Sequence, residues 1–142
     1  MSTPPSRFLD TNSLVRLLTR DDEAKAKKAL ALLARVELDE EQVVTSPMVI
    51  FETVFTLQGR YKLPREQIRR VILDLLSFRS LRLPNKSIYR RALDIYVSKN
   101  ISFGDAYNAA YMDAKGISEI YSWDRDFDKL PGITRVEPSE SE

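Results

Sequence analysis

A chain of 142 residues with 43% apolar side chains is the size of one ordinary domain and can bury a core of its own. It contains neither cysteine nor histidine, which excludes disulfides, thiolate or imidazole metal sites, a histidine general base and a Ser-His-Asp triad. A net charge of +1 names no partner by bulk attraction, no run of about 18 apolar residues offers a membrane span, and the opening Met-Ser-Thr-Pro-Pro-Ser lacks the apolar centre of a secretory signal, so a soluble cytoplasmic protein is expected.

In chain order, residues 1–6 read as a flexible N-terminus and residues 7–136 as one domain. A strand over Arg7 to Leu9 precedes helical periods over Asn12 to Leu18 and Glu23 to Ala34. A second strand, Gln42 to Thr45, leads into helices over Pro47 to Gln58 and Pro64 to Phe78. A third strand, Leu81 to Leu83, is followed by helices over Ser87 to Lys99 and Phe103 to Lys115. Strands over Glu119 to Trp123 and Thr134 to Val136 complete the pattern, with Gly59 and Gly116 as helix stops. The acidic tail, 137–142, reads as frayed. Strands separated by helices need crossover connections, so the expected class is α/β, with a mainly parallel central sheet of about five short strands covered by helices.

Four carboxylates stand where a carboxylate is awkward without a positive partner: Asp10, Glu52, Asp105 and Asp124. Asp10 and Asp124 each follow an apolar strand, at the end where open α/β sheets place their ligands. Glu52 has Met48, Val49 and Phe55 at helical spacing, which predicts that it lies on an apolar face. Asp105 falls in the first turn of a helix, where the helix dipole favours an anion. Each has a purely local rival explanation except Glu52. Asp10 suits a helix N-cap, Asp124 an Asx-turn, and Asp105 the capping box of Ser102-Phe103-Gly104-Asp105. Their convergence in one small domain would form an oxygen-donor site, for which Mg²⁺ or Mn²⁺ is the natural cation.

Charge is unevenly spread along the chain. Arg60, Lys62, Arg65, Arg69 and Arg70 crowd a stretch with one acid, Glu66, and Lys62, Arg65 and Arg69 are candidate contacts for nucleic-acid phosphates. The competing reading is a solvated helix face, and Arg90-Arg91 reads as plain surface. Four glycines, with neither a Walker A nor a dinucleotide-binding pattern, exclude a phosphate-cradling loop.

Taken together, FLDTN (Phe8 to Asn12), SPMVIFETV (Ser46 to Val54), SFGDAYNAA (Ser102 to Ala110) and SWDRDF (Ser122 to Phe127) resemble the four acidic motifs of PIN-domain nucleases, in order and spacing. The chain length and the RDD sequence, Arg20 to Asp22, resemble most the VapC-type toxins of prokaryotic toxin–antitoxin pairs. The resemblance maps the acidic positions to Asp10, Glu52, Asp105 and Asp124, with Asn12 and Ser122 as supporting polar residues. Asp126, two residues beyond Asp124, is an alternative to it, although the hydroxyl-x-Asp pattern of Ser122-Trp123-Asp124 favours Asp124.

What the resemblance implies is a Mg²⁺-dependent endoribonuclease. Asp10 would be the central ligand, Asp105 and Asp124 would complete the metal set, and Glu52 would bind through water or orient the nucleophile. It also implies a cognate antitoxin and a homodimer. A phosphatase of the haloacid dehalogenase type needs a second Asp where Asn12 stands, and a receiver domain needs an acidic pair that this N-terminus lacks. The remaining alternative is a non-catalytic PIN-like module that binds RNA or protein.

Overall fold

Five short strands, all paired in parallel, alternate with helices in the computed structural model of the chain, which describes residues 6–19 and 21–140. The described residues form two units, the first ending at Lys86 and the second beginning at Ser87.

In the first unit the order is β1 (Arg7–Phe8), α1 (Thr11–Thr19), α2 (Glu23–Glu37), β2 (Val43–Val44), α3 (Pro47–Gly59), α4 (Arg65–Leu76) and β3 (Leu81–Arg82). The sheet order is β1-β2-β3, with Phe8 opposite Val44 and Val44 opposite Arg82. Each parallel neighbour is reached through a pair of helices, as a parallel pairing requires. The ladder continues just past the strand ends, where Leu9 N–H donates to Val44 O over 2.8 Å and Thr45 N–H to Arg82 O over 3.0 Å. The buried Thr45 hydroxyl also donates to Leu9 O at 2.9 Å, so the backbone leading into Asp10 is held from two directions.

Local chemistry starts these helices. Asp22 caps α2 by accepting from Lys25 N–H at 3.1 Å, and Ser46 caps α3, with Pro47 in the first turn where its missing N–H costs nothing. The buried faces then follow the helical period: Val49, Ile50, Thr53, Val54 and Leu57 on α3, and Ile68, Ile72, Leu75 and Leu76 on α4. Each fully buried aliphatic side chain contributes about 1.5–3 kcal/mol by leaving water.

The second unit holds all but the first residue of α5 (Lys86–Ser98), followed by α6 (Phe103–Lys115), β4 (Glu119–Tyr121), a short 3₁₀ helix (Arg125–Lys129) and β5 (Thr134–Val136). Ser102 caps α6 by accepting from Asp105 N–H at 3.1 Å. Gly116 ends the helix at φ 71°, a left-handed conformation that side chains resist and glycine adopts freely. Buried Tyr96 meets Phe103 edge to face at 5.8 Å, linking α5 to α6. β4 pairs with β5, Ile120 opposite Arg135, and Ser122 N–H extends the ladder to Val136 O at 3.0 Å.

The expected α/β class with parallel strands is present. The five strands hydrogen-bond as a set of three and a set of two, rather than as one run of five. Gly59 is the last residue of α3 rather than its stop, because the chain stays right-handed through Arg60. The tail is not wholly frayed, since Arg135 donates to Glu137 at 2.9 Å. The expectations for residues 1–5, for Arg20 of the RDD sequence and for residues 141–142 lie outside the described residues.

Candidate acidic site

Asp10 stands between β1 and α1, and its Oδ1 accepts from both Ser13 N–H, at 3.1 Å, and Ser13 Oγ, at 3.2 Å. The capping role read from sequence is therefore real. It occupies one oxygen, and Oδ2 has no partner among the described residues. Asp10, Asn12, Ser13 and Arg16 line one wall of a cleft of about 350 Å³, with Lys25 and Lys28 of α2 on the other. Capping and ligand binding are thus compatible for this side chain.

Glu52 is exposed on α3, and its Oε2 accepts from Thr11 Oγ at 3.0 Å. It does not lie on the apolar core face that the sequence predicts. Its neighbours Met48 and Phe55 are themselves exposed, at 65% and 51%, because the core takes the stripe through Val49, Ile50 and Thr53 instead. Residue type alone placed Met48 and Phe55 inside; packing left them out. Thr11 and Ser13, which hold Glu52 and Asp10, were not singled out in sequence, where Asn12 drew attention. The available signal was two hydroxyls within three residues of a strand-end acid.

Asp105, Asp124 and Asp126 come together in the second unit, each offering a carboxylate oxygen within 4.8 Å of the others. Asp105 is placed by the first turn of α6 and Asp124 by the exit from β4, where its N–H donates to Ser122 Oγ at 3.0 Å. Asp124 Oδ1 in turn caps the 3₁₀ helix by accepting from Asp126 N–H at 2.9 Å, which folds Asp126 back beside it. Sequence left Asp124 and Asp126 as alternatives, whereas both stand with Asp105. Lys129 pairs with Asp126 at 3.2 Å and offsets part of the crowded charge.

The pKa of Asp105 is raised from its ordinary carboxylate value. Partial burial is the largest cause, followed by the hydrogen bond with Asp124 and its charge; a hydrogen bond with Ser102 works the other way, and the Asp126 charge adds a smaller upward push. Three oxygens at this separation suit a hard divalent cation.

Of the basic residues read as phosphate contacts, Lys62 lies in the α3–α4 connection with φ 53°, and Arg65 and Arg69 lie on α4. Arg69 pairs with Glu66 at 3.2 Å. Among the described residues, no helix is long and apolar enough to cross a membrane.

Short parallel strands, helical crossovers and clustered carboxylates define an α/β protein with an oxygen-donor acidic site. The chain belongs to the PIN-domain family, whose profile matches residues 7–133. It is 28% identical over 134 residues to a VapC ribonuclease of Aquifex aeolicus (strain VF5), covering 94% of this chain and 98% of that protein. Among solved structures it is similar to VapC20 of Mycobacterium tuberculosis, a sarcin-ricin loop cleaving toxin, at 28% identity. That match covers 94% of this chain and 100% of the other, with a TM-score of 0.39.

Proposed function

We propose that this PIN domain is a Mg²⁺-dependent endoribonuclease and the toxin of a toxin–antitoxin pair, acting in the cytoplasm. The observation that carries the reading is the trio of Asp105, Asp124 and Asp126 in a chain of this family. The similarity to a VapC ribonuclease supports the substrate and the pairing with a cognate antitoxin. A homodimer and Mn²⁺ as a substitute for Mg²⁺ belong to the same proposal.

Hydrolysis of a phosphodiester forms one P–O bond from water, breaks another and leaves the proton on the departing oxygen. A bound divalent cation supplies positive charge that favours the deprotonated water and offsets charge on the departing oxygen. In this reading Asp105 and Asp124 would hold a cation with Asp126 in support, and Asp10 would serve as a metal ligand through Oδ2, which has no partner among the described residues. Ser13 fixes the Asp10 carboxylate, and Ser122 fixes the turn that presents Asp124. Glu52, oriented by Thr11, binds through water or aligns the attacking water. Asn12 and Ser122 are the supporting polar residues, and Lys62, Arg65 and Arg69 hold RNA phosphates.

The test is incubation of the purified protein with total RNA in Mg²⁺ and in EDTA, with mapping of the cleaved ends. Discrete cleavage in Mg²⁺ alone is expected. RNA that stays intact in both while binding the protein would instead support a non-catalytic PIN-like module.

A further inference from the structure

Trp123, the only tryptophan of the chain, is 69% exposed two residues beyond the end of β4, and Tyr121, the last residue of that strand, is 76% exposed. Between them Ser122 is half-buried, while both rings face water. Neither ring has a hydrogen-bond or ring partner among the described residues. The fold makes no visible use of them. Phe127, four residues on, meets the packing need of this segment at 3% exposure. Exposed apolar surface marks a binding site when it is contiguous, and here two large aromatics are exposed within three residues.

The surroundings select the occupant. Trp123 is bonded directly to Asp124, one of the clustered acids, and on the far side of that acid comes Arg125, which is exposed. The neighbouring cations are already taken, Lys129 by Asp126 and Arg135 by Asp128 and Glu137, whereas Arg125 has no ion-pair partner among the described residues. An aromatic face, an acidic cation-binding group and an unpaired guanidinium thus follow one another within three residues. A nucleotide presents the complement, a flat base joined through its sugar to a phosphate. A protein partner covering the same patch would have to desolvate Arg125 and the acids.

We infer that Trp123, with Tyr121 beside it, is a stacking platform for an unpaired RNA base next to the bond that is cut, with Arg125 on the adjoining phosphate. The inference rests on the ribonuclease reading for its substrate. Bases inside a duplex have their faces covered by their neighbours, so such a platform selects single-stranded loops.

The lone tryptophan supplies the measurement. The full-length protein in EDTA and low salt is titrated with an end-labelled single-stranded oligoribonucleotide and with the same sequence as a blunt duplex. Tryptophan fluorescence and label anisotropy are read together, so no cleavage is needed. Quenching by the single strand at the concentration where anisotropy rises is expected, with little quenching by duplex. Trp123→Ala should weaken single-strand binding about tenfold, the scale of one lost aromatic stack, while Trp123→Phe keeps most of it and Arg125→Gln lowers the salt slope. Failure of the single strand to bind, binding without quenching, or equal affinity of Trp123→Ala and wild type would overturn the inference. So would an oligomeric state altered by Trp123→Ala with RNA affinity intact, since the patch would then be a protein interface. Cleavage by wild type alongside any of those results leaves the ribonuclease reading standing. Quenching without cleavage in Mg²⁺ removes the nuclease and keeps the platform.

Discussion

Thr11 donates its hydroxyl hydrogen to Oε2 of Glu52 at 3.0 Å, joining the residue after Asp10 to a carboxylate 41 positions away. Thr11→Val keeps the branched shape and removes the donor. We expect cleavage to fall about fivefold, the scale of one hydrogen bond of about 1 kcal/mol, with little change in melting temperature because the pair is solvent-accessible. Comparing kcat/KM and thermal melts for the variant and wild type checks this. Equal loss of stability and activity would mean that Thr11 serves only the fold.

Asp10→Asn tests the proposed role of Asp10 as a metal ligand. Asn caps a helix as well as Asp, so the Ser13 contacts should survive and the melting curve should stay nearly unchanged. Cleavage should drop by about a hundredfold or more, as when one electrostatic catalytic group is lost, while RNA binding in EDTA persists. Undiminished cleavage and growth arrest by a folded variant would reduce Asp10 to a cap.

Metal addition should separate ligands from caps in the second unit. Three carboxylates within 4.8 Å repel one another without a cation, so Mg²⁺ should raise the melting temperature by binding only the folded form. Asp105→Asn should relieve the repulsion in EDTA and lose most of the Mg²⁺ response. A Mg²⁺-dependent rise as large in the variant as in wild type would remove Asp105 from the cation site.

Acid stability should depend on Asp21. Tyr61 OH donates to its Oδ2 at 2.7 Å, while Arg16 and Thr19 donate to Oδ1. The Tyr61 hydrogen bond is the largest cause of a pKa lowered from 3.8 to about 2, with Arg16 and Thr19 adding to it against a partial opposing effect of burial. A folded-state pKa below the unfolded one stabilises the fold above the unfolded value, and the benefit is lost as pH falls from about 4 through about 2. Thermal melts from pH 6 to pH 2 should therefore show a shallower acid decline for Asp21→Asn, and for Tyr61→Phe a smaller change of the same sign. Parallel curves would show that the carboxylate does not titrate in that window.

Lys62, Arg65 and Arg69 are tested through salt. If they meet phosphates, changing all three to Glu should weaken RNA binding and lower the slope of log K against log salt by about 0.7 for each single-strand phosphate that is no longer neutralised. An unchanged slope would return them to ordinary surface.

The sequence by itself determined what short-range chemistry determines. The bounds of α6 are read to the residue, because a serine cap at Ser102 and a left-handed glycine at Gly116 act within one turn of the helix. The four acids stood out because each sits at an element end or among apolar neighbours, which is visible without a partner. Tertiary structure decided what depends on residues distant in the chain. It brought Thr11 rather than Asn12 to Glu52, left Met48 and Phe55 outside the core, gathered Asp126 with Asp105 and Asp124, and divided the strands into three and two. Strands of two or three residues carry too few side chains to specify their pairing, and a carboxylate's neighbours 19 or 41 positions away follow from how elements pack rather than from any local preference.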